Sequence, residues 1–391
     1  MPSGSSRVSR PCETMTTPAG SRFSPSAASP LFLLAMDHRK SFAETFLGIS
    51  NERDNSELKK LQDAKVVIYD AARQATADGV PVGRAGVLVD EHLGAEIARR
   101  AKEDGLVLAM PIEKSGTELF ELEYGEEFVE HVETFDPDFF KVLVRYNPVN
   151  DESTRVTQIE RLARISAWSE EVGRRWLFEL LVPPTGEQLA QYEDQYHFDV
   201  QARPSLTAET ITAMREGGVH PTVWKLEGYE TAEGAQEVLR TVSADIDHQA
   251  ECIVLGRNAP MSRVEHWIET AAPLSGFAGF AVGRSIWQEP LQGLLAGQID
   301  RNEAVESIAG RYRALIDDYC AHQRLSAPHS SEAFTWQNPR LSPDREERIR
   351  RALRGADMRG TKVPAWMAVT LLAEVDALRA EAAKPASSPK Q

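Results

Sequence analysis

The sequence has few cysteines, no long apolar run and no excess of basic residues. Its three cysteines, Cys12, Cys252 and Cys320, lie far apart without a CxxC pair, so neither a disulfide framework nor a thiolate zinc site is expected. No window approaches the roughly 18 consecutive apolar residues of a membrane helix. The net charge of -15 disfavours a nucleic-acid partner, because such proteins need clustered Lys and Arg to displace phosphate counterions. We therefore expect a cytoplasmic protein that binds neither membrane nor nucleic acid.

The chain is long enough for a barrel with extensions at both ends. Its 391 residues exceed the about 250 to 300 that one α/β barrel needs. Residues 1–29 are rich in Ser, Pro and Thr and lack the apolar core of a signal peptide, so we predict a disordered leader. Residues 328–391 are polar with two helical patterns and are predicted to form a helical extension and tail. The remaining residues, 30–327, are predicted to form the barrel domain.

Eight apolar runs, most of them separated by helical patterns, dominate residues 30–327. The runs cover residues 31–36, 85–89, 106–110, 139–144, 176–182, 222–227, 252–255 and 276–282. Continuous apolar runs of this length are typical of strands buried on both faces, as in a parallel sheet. Eight such strands that alternate with helices predict the α/β class and a (β/α)8 TIM barrel. In that fold, functional groups gather at the carboxyl-terminal ends of the strands.

Lys225 stands where the sixth apolar run meets a Gly-containing loop. At the carboxyl end of a buried strand, a lysine has a lowered ammonium pKa and can attack a carbonyl carbon to form an imine. The alternative is a lysine whose stem packs on apolar surface while its ammonium reaches water.

Two further charged residues lie inside apolar runs, Lys141 in the fourth and Glu179 in the fifth. A charge in such a strand is costly unless it is paired with another charge or with a ligand. Either the predicted strand limits are wrong by a few residues, or both side chains point into the barrel. A purely structural ion pair is the alternative to a catalytic pair. Asp37, at the end of the first run, belongs either to the same site or to the cap of the next helix.

Basic residues and glycines also follow the strand ends. Arg284 after Gly283 suits a phosphate, because glycine lets backbone N–H groups approach an anion and a guanidinium makes bidentate contacts. Phosphate sites in barrels often follow strands seven and eight. A solvated surface arginine is the alternative. The further candidates for substrate or phosphate binding are Gly256, Arg257, Lys114 and Arg39.

Six short segments carry a resemblance to known enzymes. They are residues 32–39 (FLLAMDHR), 110–116 (MPIEKSG), 140–146 (FKVLVRY), 178–180 (FEL), 224–227 (WKLE) and 282–287 (VGRSIW). Together they resemble the class I aldolase barrels of the tagatose 1,6-bisphosphate aldolase type. They are more similar still to the aldolase-like domain that bacteria fuse to the sugar kinase of inositol catabolism, which is assigned to cleavage of 2-deoxy-5-keto-gluconate 6-phosphate. The 391 residues contain no such kinase domain, and residues 328–391 have no counterpart in that domain.

The resemblance implies a role for each strand-end residue. It implies Lys225 as the Schiff-base lysine and Glu179 as the acid/base that transfers protons. Asp37 and Lys141 would be supporting polar residues, and Arg284 would contact the phosphate.

The sequence therefore leads to one hypothesis and two alternatives. The hypothesis is a metal-free class I aldolase that cleaves 2-deoxy-5-keto-gluconate 6-phosphate to dihydroxyacetone phosphate and malonate semialdehyde. It needs no cofactor, its partner is a small phosphorylated sugar, and a homo-oligomer is left open. One alternative is an aldolase for tagatose 1,6-bisphosphate or another ketose phosphate. The other is a non-catalytic barrel that senses a sugar phosphate or binds a partner.

Overall fold

Eight parallel strands close into a barrel. The computed structural model of the protein describes residues 25–27, 29–49, 54–81 and 83–325. In this part of the chain the strands pair in sequence order, and the last pairs with the first. They are β1 (Leu31–Ala35), β2 (Ala85–Leu88), β3 (Val107–Pro111), β4 (Phe139–Arg145), β5 (Trp176–Leu181), β6 (Val223–Glu227), β7 (Glu251–Leu255) and β8 (Phe277–Val282). The predicted (β/α)8 barrel is confirmed.

Helices follow the strands around the outside of the barrel. They are α1 (Lys40–Leu47), α2 (Asn55–Ala77), α3 (Glu91–Glu103), α4 (Phe128–Phe135), α5 (Glu152–Glu171), α6 (Gly186–Leu189), α7 (Gln195–Gln201), α8 (Arg203–Glu216), α9 (Ala232–Ser243), α10 (Met261–Ala271), α11 (Arg284–Leu295) and α12 (Arg301–Leu325). A single 3-10 turn, Gly125–Glu127, precedes α4. The sequence did not predict α1, α6, α7 or α11.

The strands bury side chains on both faces, which explains their continuous apolar composition. One set packs between the sheet and the helices, and a smaller set fills the barrel interior. Lys141 pairs in register with Leu177, and Lys225 pairs with Ile253, both of which belong to the interior set. Lys141 and Lys225 therefore point into the barrel, and so does Glu179, which pairs in register with Lys225. Of the two explanations for charged residues inside apolar runs, the one in which the side chains point into the barrel is therefore correct.

Helix α12 packs across the first and last strands. The hydroxyl of Tyr312 donates a hydrogen bond to the backbone oxygen of Phe32 at 2.6 Å, and that of Tyr319 donates to the oxygen of Phe277 at 2.7 Å. Both tyrosines are fully buried. Their two hydrogen bonds hold α12 against β1 and β8, the pair of strands that closes the barrel.

Both predicted extensions fall largely outside the described residues. The structure describes only residues 25–27 and 29 of the predicted leader, where Ser26 and Ser29 form an isolated bridge. The predicted helical extension, residues 328–391, lies wholly outside them. No helix in the described part of the chain is long and apolar enough to cross a membrane.

Candidate active site

A cavity of about 390 Å³ opens at the carboxyl-terminal end of the barrel. Its lining includes Asp37 after β1, Lys141 of β4, Glu179 of β5, Lys225 of β6 and Arg284 at the start of α11. A volume of this size is typical of sites for small molecules. Residues from five separate segments thus meet at one end of the barrel.

Lys141 lies at the centre of three carboxylates. Its Nζ is 2.8 Å from Asp37 Oδ2, 2.8 Å from Glu113 Oε1 and 2.9 Å from Glu179 Oε2. The side chain is 1% exposed. Burial alone would lower the pKa of Lys141, but the three carboxylates outweigh it and raise that pKa well above its ordinary value. Lys141 is therefore a permanent ammonium at neutral pH.

Lys225 contacts the same glutamate from the next strand. Its Nζ is 2.8 Å from Glu179 Oε1, and its side chain is 4% exposed. Glu179 therefore offers one carboxylate oxygen to each lysine. Burial would raise the pKa of Glu179, but Lys141 and Lys225 lower it below the ordinary value. An ionised carboxylate thus lies between a fixed ammonium and a second lysine.

Asp37 belongs to this cluster and does not cap α1. The N-cap position of α1 is held by Arg39, and no side chain caps the helix there. The capping alternative is wrong. Burial would raise the pKa of Asp37, but Lys141 and Lys225 hold it well below its usual range.

Arg284 lies at the rim of the cavity, where α11 begins. It has no hydrogen bond or ion pair with any described residue. Burial lowers its pKa, and the charges of Asp37 and Glu179 oppose that change. A Cβ at the preceding Gly283 would lie 2.4 Å from the backbone oxygen of Ala35, so only glycine lets α11 start this close to β1. The result is a guanidinium without a partner beside a helix N-terminus, which suits an anion.

His38 also lines the cavity, next to Asp37. Its Nδ1 is buried without a hydrogen-bond partner and lies 4.0 Å from Asp37 Oδ1. The ring stands edge-on to Trp287, with 5.7 Å between centroids. Burial lowers the pKa of His38 to about 4, although Asp37 opposes this shift. The imidazole is therefore neutral at neutral pH.

Two predicted substrate-binding residues have their charges satisfied within the chain. Arg39 Nη1 donates to Glu123 Oε2 at 2.7 Å, and Nη2 donates to the backbone oxygen of Glu113 at 2.7 Å. Lys114 Nζ lies 3.8 Å from Glu121 Oε2, and both side chains are about half-exposed. Arg39 and Lys114 line the cavity, but Arg39 also anchors the loop that follows β3.

Arg257 is similarly engaged. Its Nη1 donates to Asp199 Oδ2 at 2.9 Å, and its Nε lies 3.0 Å from Glu227 Oε1. The backbone of Arg257 is left-handed, with φ of 49°. A Cβ at the preceding Gly256 would lie 2.9 Å from Val282 Cγ1, so the turn is tight here. Gly256 and Arg257 shape the wall of the cavity, while the guanidinium belongs to a buried ionic network beside it.

Sequence reasoning missed Glu113, which supplies the third carboxylate on Lys141. It lies two residues after the end of β3 and forms a bridge with Leu122 that fixes its position. Burial raises the pKa of Glu113, and the charges of Lys141 and Arg39 only partly offset this. The rule that polar residues gather after strand ends holds for Glu113 as much as for its neighbour Lys114, so this signal could have found it.

One family of bacterial proteins matches most of the chain. Its profile, described as "Uncharacterized protein conserved in bacteria (DUF2090)", matches residues 21–323. The chain belongs to that family. A comparison with curated proteins finds no match.

Three solved structures, two of them aldolases, are similar to the chain at low sequence identity. A fructose-bisphosphate aldolase from Plasmodium falciparum, solved with TRAP and a small-molecule inhibitor, is 10% identical with a TM-score of 0.53 over 74% of this chain and 90% of that one. An archaeal fructose 1,6-bisphosphate aldolase is 15% identical, with a TM-score of 0.48 over 75% and 94% of the two chains. A structural genomics target from Corynebacterium glutamicum is 17% identical, with a TM-score of 0.47 over 73% and 86%. The first of these similarities shows the fold.

Proposed function

We propose that the protein is a class I aldolase that holds its substrate on Lys225 as an imine. One observation carries the proposal. The nitrogen of Lys225 lies 2.8 Å from one oxygen of Glu179, and the other oxygen of Glu179 lies 2.9 Å from the permanently charged Lys141. A buried amine with a proton acceptor beside it, at the floor of a cavity, is the arrangement that imine chemistry requires.

The two lysines differ in a way that favours Lys225 as the nucleophile. Lys141 has carboxylates on three sides and keeps its proton, so it has no lone pair for attack. Among the described residues, Lys225 is within ion-pair distance of one carboxylate, that of Glu179. Loss of one proton from Lys225 to that carboxylate gives a neutral amine directly below the cavity.

Imine formation needs several proton transfers at the same place. As the Lys225 amine adds to the ketone carbon of the substrate, Glu179 gives the proton that it took from Lys225 to the ketone oxygen, which becomes the hydroxyl of a carbinolamine. Glu179 accepts the proton from the nitrogen and returns a proton to that hydroxyl, which leaves as water. Lys141 stays charged throughout and favours the ionised form of Glu179 between these transfers.

The protonated imine then accepts the electrons of the bond that breaks. A base removes the proton from the hydroxyl two carbons away from the imine carbon, the carbon–carbon bond breaks, and the electron pair moves into an enamine on Lys225. The departing half leaves as an aldehyde. Protonation of the enamine carbon and hydrolysis by water release the ketone half and restore Lys225. Glu179 is the base in this proposal, and Asp37 supports the cluster through Lys141.

We assign the substrate as 2-deoxy-5-keto-gluconate 6-phosphate, and the products as dihydroxyacetone phosphate and malonate semialdehyde. The sequence resemblance motivates this choice. The cavity lining supports an anionic substrate, because it carries seven cationic side chains against four carboxylates. In this proposal Arg284, which has no partner among the described residues, binds the phosphate.

Borohydride trapping tests the imine. The protein is mixed with dihydroxyacetone phosphate and sodium borohydride, and the labelled peptide is found by mass spectrometry. We expect the label on Lys225, no label there in Lys225→Met, and normal labelling in Lys60→Met, which removes an exposed lysine of α2. Folded protein that is not labelled at Lys225 contradicts the proposal. Product analysis with 2-deoxy-5-keto-gluconate 6-phosphate and with tagatose 1,6-bisphosphate then decides between the two substrates.

A further inference from the structure

The cations of the cavity lining fall into two groups. The seven are Arg39, Lys114, Lys141, Arg145, Lys225, Arg257 and Arg284. Five of them lie within 4 Å of a carboxylate of the chain. The other two, Arg145 and Arg284, have no ion pair or hydrogen bond from the guanidinium to any described residue. Two guanidiniums in the cavity are therefore available to a ligand.

The two unpaired arginines lie on opposite sides of the barrel. Arg145 is the last residue of β4, and Arg284 follows β8. In a closed barrel of eight strands paired in sequence order, β4 and β8 are separated by three strands in either direction. The cavity thus presents one free positive charge at each of two opposite edges, with the lysine cluster between them.

The register of β4 places Arg145 on the cavity side. Residues two apart on a strand share a face, so Arg145 faces the same way as Leu143 and Lys141. Their exposure rises towards the mouth, because Lys141 is buried, Leu143 is half-buried and Arg145 is exposed. All three line the cavity. Arg145 therefore lies at the mouth of the cavity, above Leu143 and Lys141.

From these positions we infer that Arg145 binds a second anionic group, carried by the half of the substrate that leaves as the aldehyde. This rests on the proposed function, in which the ketone half stays on Lys225 with its phosphate at Arg284. The departing half must then extend away from Arg284 and exit through the mouth, where Arg145 lies. A guanidinium there selects substrates with a carboxylate or phosphate at the far end, because a charged group receives bidentate hydrogen bonds that a hydroxymethyl group cannot match.

The anion site at Arg145 can be tested independently of imine formation by measuring the equilibrium binding of ligands that cannot react with Lys225. The probes are 6-phosphogluconate, glucitol 1,6-bisphosphate and glucitol 6-phosphate, which share a six-carbon chain and one phosphate and have no ketone to react with Lys225. They differ at the far end, which is a carboxylate, a second phosphate or an uncharged hydroxymethyl group. Each is titrated calorimetrically into the full-length protein and into Arg145→Gln.

We expect the native protein to bind at least one of the two double anions roughly 10- to 100-fold more tightly than glucitol 6-phosphate, as hydrogen bonds to charged groups imply. Arg145→Gln should remove that preference and leave the affinity for glucitol 6-phosphate unchanged. A loss confined to 6-phosphogluconate identifies a carboxylate site, and a loss confined to the bisphosphate identifies a phosphate site.

A matched control removes an arginine elsewhere. Arg164 is exposed on α5, outside the cavity lining, so Arg164→Gln changes the net charge equally and should keep the preference. Equal affinity of the native protein for all three probes, or a preference that survives in Arg145→Gln, overturns the inference. Borohydride labelling of Lys225 by dihydroxyacetone phosphate reports separately on the proposed function, because it does not need the aldehyde half.

Discussion

Replacement of Lys141 by methionine should destabilise the fold strongly and in a pH-dependent way. Lys141 is the ammonium that neutralises Asp37, Glu113 and Glu179, each within 2.9 Å and each nearly buried. Methionine keeps the volume but removes the ammonium that the three carboxylates share. Glu179 is then left with Lys225 at 2.8 Å and Glu113 with Arg39 at 3.7 Å. Removing one partner of a buried ion pair typically costs about 3–5 kcal/mol. With an m-value of about 3 kcal/mol/M in urea, this lowers the unfolding midpoint by roughly 1 to 1.7 M at pH 7.

The loss of stability in Lys141→Met should increase as the pH rises. In the native protein, the pKa values of Asp37 and Glu179 are lowered, so their stabilising effect is complete above their unfolded values of 3.8 and 4.5 and is lost only in acid. In Lys141→Met, burial and mutual repulsion raise the pKa values of the remaining carboxylates. Their protonated forms are then favoured in the fold, and stability falls as the pH rises. The difference between the two proteins should be larger at pH 8 than at pH 5.5.

Urea titrations followed by tryptophan fluorescence at both pH values measure this difference. Lys60→Met serves as the control, because Lys60 is exposed on α2 and its loss should shift the midpoint little at either pH. A drop below about 0.3 M for Lys141→Met, or an equal drop at both pH values, would show that the three carboxylates do not depend on Lys141 in the way we describe.

Two other predictions concern proton transfer and the neutral imidazole. Glu179→Gln should lower kcat for cleavage by roughly 10²- to 10⁴-fold in a coupled assay for dihydroxyacetone phosphate, because the amide cannot accept a proton. The same change at the exposed Glu187 should have little effect, and a drop below tenfold for Glu179→Gln would exclude it as the main base. His38 should titrate near pH 4 by NMR, so its contribution to stability is present above pH 6.5 and lost as the pH falls towards 4. A His38 midpoint above pH 6 contradicts the burial that we describe.

Local patterns in the sequence were enough to predict the barrel fold. The eight predicted strands agree with the observed ones to within one residue at every end. These elements are long or continuously apolar, so one short window determines each of them. Helix α11 was not predicted. It begins at Arg284, only two residues after β8, and contains Pro290, a residue that is unfavourable inside a helix.

The partners of the charged residues could not be predicted in the same way. Whether Arg39 or Arg257 is available to a substrate depends on contacts with Glu123 and Asp199, which are 84 and 58 residues away in sequence. The order of strands says which residues reach the same end of the barrel. It does not say which cations find a carboxylate there, because that depends on the loops that follow the strands.

The pairing of charges gives each cavity cation a different role. Lys141 is held charged by three carboxylates, and that fixed charge keeps Glu179 ionised beside Lys225. Without that neighbour, burial would raise the pKa of Glu179, and more of it would already be protonated and unable to accept a proton. In the proposed mechanism, Lys141 therefore supports Lys225 without touching it, through the carboxylate that the two lysines share. Arg145 and Arg284, which have no carboxylate partner among the described residues, are the residues that we propose for the two ends of an anionic substrate.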